Sequence, residues 1–198
     1  MADQTTSLAA LIGSRICHDL ISPIGAINNG LELLSMSGDV HGPEIELIGE
    51  SVGNASARIR FFRVAFGAAG DQMMSPAEVR SILQDLYGKS RLNIAWSIET
   101  PVERHSVRMA FLAILCTETA FPYGGQISVR SLGRRWELSG KADRGNVDPD
   151  LWALLERDAP RQDLPAAHVQ FALLSKVSAE SSRPITLQSS ATSLNIQY

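Results

Sequence analysis

Apolar residues at Ile12, Ile16, Leu20, Ile27, Leu31 and Leu34 recur at steps of three, four and seven, which predicts one long helix over residues 6–36. Thr6 or Ser7 is placed to cap its start. At 1.5 Å per residue such a helix extends for roughly 45 Å. The stretch "SGDVHGP" then breaks it with two glycines and a proline. A second helix is expected from about Glu44 to Phe66, with Ile45, Ile48, Val52, Ala55, Ile59, Phe62 and Phe66 alternating at three and four. That heptad seam calls for a partner helix packed at about +20°. Glu44, Glu46 and Glu50 near its start and Arg58, Arg60 and Arg63 near its end suit the helix dipole. A bare hairpin of two helices buries little, whereas two copies close a four-helix bundle, so a homodimer through residues 6–68 is expected.

The small and polar run "GAAGDQMMSP", residues 67–76, reads as a linker between a helical-hairpin domain, 1–70, and a second domain, 75–198. The second domain opens on "SPAEVRSILQDLYG", with Ser75 as cap, Pro76 at the first helical position and Glu78 completing a capping-box-like start. "NIAWSIET" has strand character and "RHSVRMAFLAILCTETAF" reads as a buried helix. "GQISVRSLG" and "RRWELSGKA" form a strand pair turning at Leu132, Gly133 and Arg134. "DPDLWALLERD" and "PAAHVQFALLSKVSAE" follow as helices, and "RPITLQSS" with "TSLNIQY" as a closing hairpin. The fold class is therefore α+β: a helical hairpin, then an α/β sandwich with helices over one face of a mixed sheet. Trp96, Trp136 and Trp152 are read as core residues of the second domain.

Composition narrows the functions open to this fold. With 18 basic and 21 acidic residues among 198, the net charge is −3, and the absence of a basic stripe argues against nucleic acid as main partner. No apolar run approaches the roughly 18 residues needed to span a bilayer, and the N-terminus is unlike a signal peptide, so a soluble, cytoplasmic protein without a membrane partner is expected. Cys17 and Cys116 are far apart and outside any ligand-like spacing, which leaves no support for a metal or redox site.

The candidate chemistry lies in the first helix. His18 is about 200° around the helix from both Ile16 and Leu20, and so faces solvent. Arg15, Ser22, Gly25 and Asn29 lie one to three turns away on its face, one basic residue followed by small or polar ones that leave room for another protein to approach. A surface ion pair with Asp19 is the bland alternative. Against it, Gly25 and Pro23 cost roughly 1 and 3 kcal/mol in a helix interior, and local rules are broken most often near a function. Imidazole in general titrates near 6.5, is nucleophilic when neutral, and can take up and return a phosphoryl group. Asp19, one residue on, diverges by 100° but is placed by its charge to orient a ring nitrogen or accept a proton. His41, His105 and His168 have no such setting and read as solvent-facing or capping residues.

The run "HDLISPIGAI" from His18 resembles the H-box of histidine-kinase dimerisation and phosphotransfer domains, where an acidic residue follows the histidine and a proline stands five places on. The second domain resembles a histidine-kinase ATP-binding domain whose nucleotide motifs have decayed. Ile114 and Glu118 stand where asparagines belong, "ADRGNVDP" keeps Asp143 and Gly145 but has Val147 in place of a glycine, and no glycine-rich lid follows. The combination is similar to the ChpT-type histidine phosphotransferases of alphaproteobacterial phosphorelays. That resemblance implies a homodimeric histidine phosphotransferase of a two-component phosphorelay rather than an ATP-dependent kinase. His18 would accept phosphate from the receiver domain of a hybrid histidine kinase and pass it to response regulators. It further implies no ATP and no cofactor or metal held by this chain, Mg²⁺ being supplied by the receiver. Arg15 would steer the acidic receiver, and Ser22, Gly25 and Asn29 would permit close docking. Two other readings stay open at this point: an active histidine kinase, and a non-catalytic dimeric scaffold in which His18 is a relic.

Overall fold

A computed structural model of the chain describes residues 2–37, 43–68, 70, 72–133, 135–156 and 164–198. Helices α1 (Ala2–Ser37) and α2 (Pro43–Ala65) form the hairpin. Helix α1 starts at Ala2, so Thr6 and Ser7 lie inside it rather than capping it. His41 lies outside the described residues. The hairpin helices approach closely at Gly30, where a Cβ would come within 2.5 Å of Ile48 Cγ1.

The apolar residues of the hairpin divide between two surfaces, which the heptad pattern alone did not separate. Leu8, Ile12 and Ile16 pack against the core of the second domain. Leu31 from α1, and Ile45, Val52 and Ile59 from α2, stay exposed on the single chain. The seam expected to hold the hairpin together is thus partly an outward face.

The linker expected over 67–76 is shorter than the sequence implies. Met73–Met74 form β1, paired antiparallel with β3 (Val102–Glu103), and Met74 is buried. Two-residue strands carry no periodic signal, which is why neither was foreseen. Moreover, the last turns of α2 already belong to the second core: the Phe61 ring stacks on Phe111 with centroids 4.4 Å apart and planes 4° from parallel.

Beyond β1, and apart from β3 and a 3-10 turn, the elements follow the expected order: α3 (Pro76–Tyr87), β2 (Leu92–Trp96), α4 (Arg104–Ala120), β4 (Gly125–Leu132) and β5 (Arg135–Lys141). Then come α5 (Pro149–Glu156), a 3-10 turn (Ala166–His168), α6 (Val169–Glu180), β6 (Thr186–Ser189) and β7 (Ser193–Gln197). Ser75 caps α3, its Oγ accepting from the Glu78 N–H at 3.2 Å. The main sheet runs β2-β4-β5-β7-β6, with β2 and β4 parallel and the other pairs antiparallel. A parallel pair needs a crossover, and α4 supplies it. Ile127, Val129, Leu138, Leu194 and Ile196 project from the strands into a core shared with α4 and α6. Trp96, Trp136 and Trp152 are all buried there, as their sequence setting implied.

Candidate functional site

His18 sits on α1 with 83% of its side chain exposed, away from both packed surfaces of that helix. Its position follows from the 3.6-residue period: Leu8, Ile12, Arg15, Ile16 and Asp19 share the stripe that meets the second domain, and His18 lies one step around from it. Pro23, buried one turn further on, has no N–H to give to the carbonyl of Asp19 four residues back. The backbone ladder is therefore interrupted at the residue after the histidine.

Asp19 does more than its position in sequence suggests. Its Oδ1 lies 3.1 Å from Nδ1 of His18, a direct contact where divergence by 100° was expected. Nδ1 is the ring nitrogen nearest the backbone, and rotation of the short carboxylate side chain brings the two together around the helix. The other oxygen, Oδ2, accepts from Nε of Arg15 at 2.8 Å and lies 3.9 Å from Nη1 of Arg58 on α2. The carboxylate is only 10% exposed.

Arg15 is placed differently from the steering role inferred for it. Its Nη1 donates to the carbonyl of Ala167 in the 3-10 turn, and only 17% of its side chain meets solvent. The guanidinium is spent inside the chain, joining the first helix to the second domain. Ser22 and Asn29 are exposed, and a side chain at Gly25 would meet open space.

A second set of groups lies beneath. Glu118 on α4 is largely buried and accepts from the Tyr87 hydroxyl of α3 at 3.2 Å. Burial pushes its carboxyl above the usual range, Tyr87, Arg15 and Arg58 pull it down, and Asp19 raises it. Arg58, Tyr87 and the Ala167 carbonyl were not singled out from sequence. They are 39, 68 and 148 residues from Asp19 along the chain, and only the packing of α2, α3 and the 3-10 turn assembles them. Arg58 had been read simply as a complement to the helix dipole.

The positions compared with kinase nucleotide motifs are also accounted for. Ile114 is wholly buried in the core. A Cβ on Gly145 would come within 2.7 Å of the Ala191 carbonyl oxygen and 3.2 Å of the buried Phe121 ring. Among the described residues, no group of three His, Cys, Asp or Glu side chains is arranged to hold a metal ion. Nor is any described helix long and apolar enough to cross a membrane. Cys17 is exposed and Cys116 buried, and both are free. His105 is half-buried, and His168 stands edge-on to Phe171 at 6.2 Å.

Chemically, a carboxylate against Nδ1 favours the neutral tautomer with the proton on Nδ1. The lone pair is then on Nε2, which faces outward.

Residues 76–193 match the family described as "Histidine phosphotransferase C-terminal domain". The Protein phosphotransferase ChpT of Brucella abortus is 35% identical over 170 residues, 82% of this chain and 81% of that protein. A solved structure of a bacterial phosphotransferase is 32% identical and superposes with a TM-score of 0.82, covering 97% of this chain and 95% of the other.

Proposed function

The chain belongs to the histidine phosphotransferases, phosphotransfer enzymes of two-component signalling, and from that premise we propose that Nε2 of His18 is its phosphoacceptor. The donor is the receiver domain of a hybrid histidine kinase, and response regulators are the acceptors. The observation that carries this reading is the exposed imidazole whose Nδ1 is held by a fixed carboxylate.

Attack by the Nε2 lone pair forms a P–N bond as the P–O bond of the receiver's aspartyl phosphate breaks, and the aspartate carboxylate leaves. Positive charge that develops on the ring is stabilised through the Nδ1–H by Asp19, which the side chains of Arg15 and Arg58 hold in place. The transfer is loose and depends chiefly on positioning and charge, and Mg²⁺ brought by the receiver would supply charge neutralisation. Ser22, Gly25 and Asn29 keep the approach to Nε2 open.

Homodimerisation belongs to the same reading. Ile24 and Leu31 on α1, and Ile45, Val52 and Ile59 on α2, are exposed at seven-residue spacings. Facing the same stripes of a second hairpin, they would close a four-helix bundle. Transfer without ATP is supported by Ile114, wholly buried, and Glu118, bonded to the Tyr87 hydroxyl, at the positions of the kinase asparagines.

Incubating the protein with a phosphorylated receiver domain and Mg²⁺, and separately with ATP, tests all of this at once. Acid-labile phosphate is expected on the wild type from the receiver alone, and none on His18→Gln from either source. Label from ATP would make the protein a kinase. A wild type that takes no label from receivers, while remaining a dimer, would leave the scaffold reading.

A further inference from the structure

An ion pair between residues four apart on a helix surface shifts side-chain populations only about twofold, which is too little to hold the Asp19 carboxylate against the ring by itself. Arg15 has a second anchor. While its Nε donates to Oδ2 of Asp19 at 2.8 Å, its Nη1 donates to the carbonyl of Ala167 in the second domain. The guanidinium is a rigid planar fork, so a bond at Nη1 fixes where Nε points. The Ala167 carbonyl is itself held in place. Its turn is closed by the His168 N–H, which donates to the Pro165 carbonyl at 2.9 Å, and it leads directly into α6, where buried Phe171 meets Trp152 edge-on at 5.0 Å. Leu8, Ile12 and Ile16 seat the neighbouring turns of α1 on the same domain. We propose that Arg15 is a positioning residue for His18 that works through the second domain: the Ala167 carbonyl fixes the guanidinium, the guanidinium fixes Asp19, and Asp19 fixes the tautomer of the imidazole.

Three consecutive hydrogen bonds thus run from a backbone oxygen of the second domain to the reactive ring, through Arg15 and Asp19 to Nδ1. Arg58 also approaches Oδ2, but at 3.9 Å it supplies charge rather than a directed bond. Its Nε is given to Oδ1 of Asn54, one turn back on α2, at 2.9 Å. The hairpin alone therefore offers Asp19 attraction without direction, and the direction comes from Ala167. A lysine at position 15 could not do the same, because its single ammonium lacks the planar fork that spans two fixed acceptors. The second domain is thereby part of the phosphotransfer site without touching the histidine. Its seating on α1 sets how much of the imidazole carries its proton on Nδ1.

The proposal rests on His18 being the phosphoacceptor, and the test separates the two. In the full-length protein, Arg15→Gln removes both the charge and the fork, while Arg15→Lys keeps a charge four residues from Asp19 with no second branch for Ala167. The His18 tautomer is read by ¹⁵N NMR of the unphosphorylated protein, and transfer from a phosphorylated receiver is measured against receiver concentration. For Arg15→Gln the maximal rate is expected to fall about tenfold, as when a supporting partner of a functional group is lost, with half-saturation unchanged and a smaller Nδ1–H population. Arg15→Lys is expected to lose most of both as well. A wild-type tautomer and rate in Arg15→Lys would overturn the proposal, because charge at Asp19 would then suffice without the Ala167 anchor. Wild-type values in Arg15→Gln overturn it too, and so does a raised half-saturation with an unchanged tautomer, which would mean that Arg15 meets the receiver. Should a variant fail to fold, the wild type decides. A guanidinium held at both Nε and Nη1 turns slowly about its Nε–Cζ bond and shows two separate Nη signals, and one averaged signal for Arg15 sinks the idea. A wild type that takes no phosphate would defeat the phosphotransfer reading instead, with the tautomer measurement still deciding whether Arg15 controls the ring.

Discussion

Asp19 serves three partners with two oxygens, and each contact restrains a different freedom of the site. Arg15 and Arg58 fix where the carboxylate sits, and the carboxylate fixes how the imidazole turns. Replacing Asp19 with Asn keeps the size but removes the charge, and transfer from a phosphorylated receiver is expected to slow by about a hundredfold. Circular dichroism and sedimentation mass should not change, since the side chain contributes little apolar contact. The pH dependence of stability offers a separate check on Glu118. Its carboxyl is raised by burial from the ordinary 4.5, so the folded protein holds this proton more tightly than the unfolded chain does. The stability so gained is complete below the ordinary value and lost as pH rises through the folded one. Glu118→Gln should flatten that portion of a Tm-against-pH curve, with a melting temperature no lower than wild type at pH 7. At this scale the sequence exposed the histidine, its acid and its proline, because all three lie within six residues of one helix. It did not expose Arg58, Tyr87 or Glu118, whose meaning depends on four helices coming together.

Among the elements, α2 is the one whose role the pattern of apolar residues misjudged. Its heptads were read as a single seam, yet Phe61, Phe62, Val64 and Ala65 are committed to the second core while Ile45, Val52 and Ile59 look outward. Periodicity says which residues share a face but not which partner covers it. Long helices and the β4, β5 and β6, β7 pairs were legible because their periods persist and their turns carry glycine or serine. The two-residue strands β1 and β3 were too short to show any period. Phe61→Ala, which removes the stack on Phe111, is expected to destabilise the protein by about 3 to 5 kcal/mol. Thermal unfolding would then be read on both parts, by tryptophan fluorescence of the second domain and by helical ellipticity. Gly30→Ala should cost about 1 to 3 kcal/mol, because the new Cβ is driven into the Ile48 side chain near its branch point. A variant as stable as wild type would mean that the hairpin can open there at no cost.

Contacts that tie the hairpin to the second domain include the aromatic stack at the end of α2, the polar contact from Arg15 to the Ala167 carbonyl and the ion pairs Arg60–Asp85 and Lys89–Glu50. What the single chain leaves uncovered is the outward stripe of the hairpin. Val52→Glu places a charge on that stripe, and sedimentation velocity should report a shift from dimer to monomer with a melting temperature that becomes independent of concentration. A variant that remains dimeric would direct the search for the interface elsewhere. One further consequence concerns pharmacology rather than mechanism. With Ile114 wholly buried and Glu118 engaged by the Tyr87 hydroxyl at the positions where a histidine kinase carries its nucleotide-binding asparagines, a compound shaped for the adenine pocket of such a kinase is expected not to bind. Added to a reconstituted relay, such an inhibitor should silence the kinase and leave phosphate already on the receiver free to travel through His18, so that the two halves of the pathway are timed separately in one vessel.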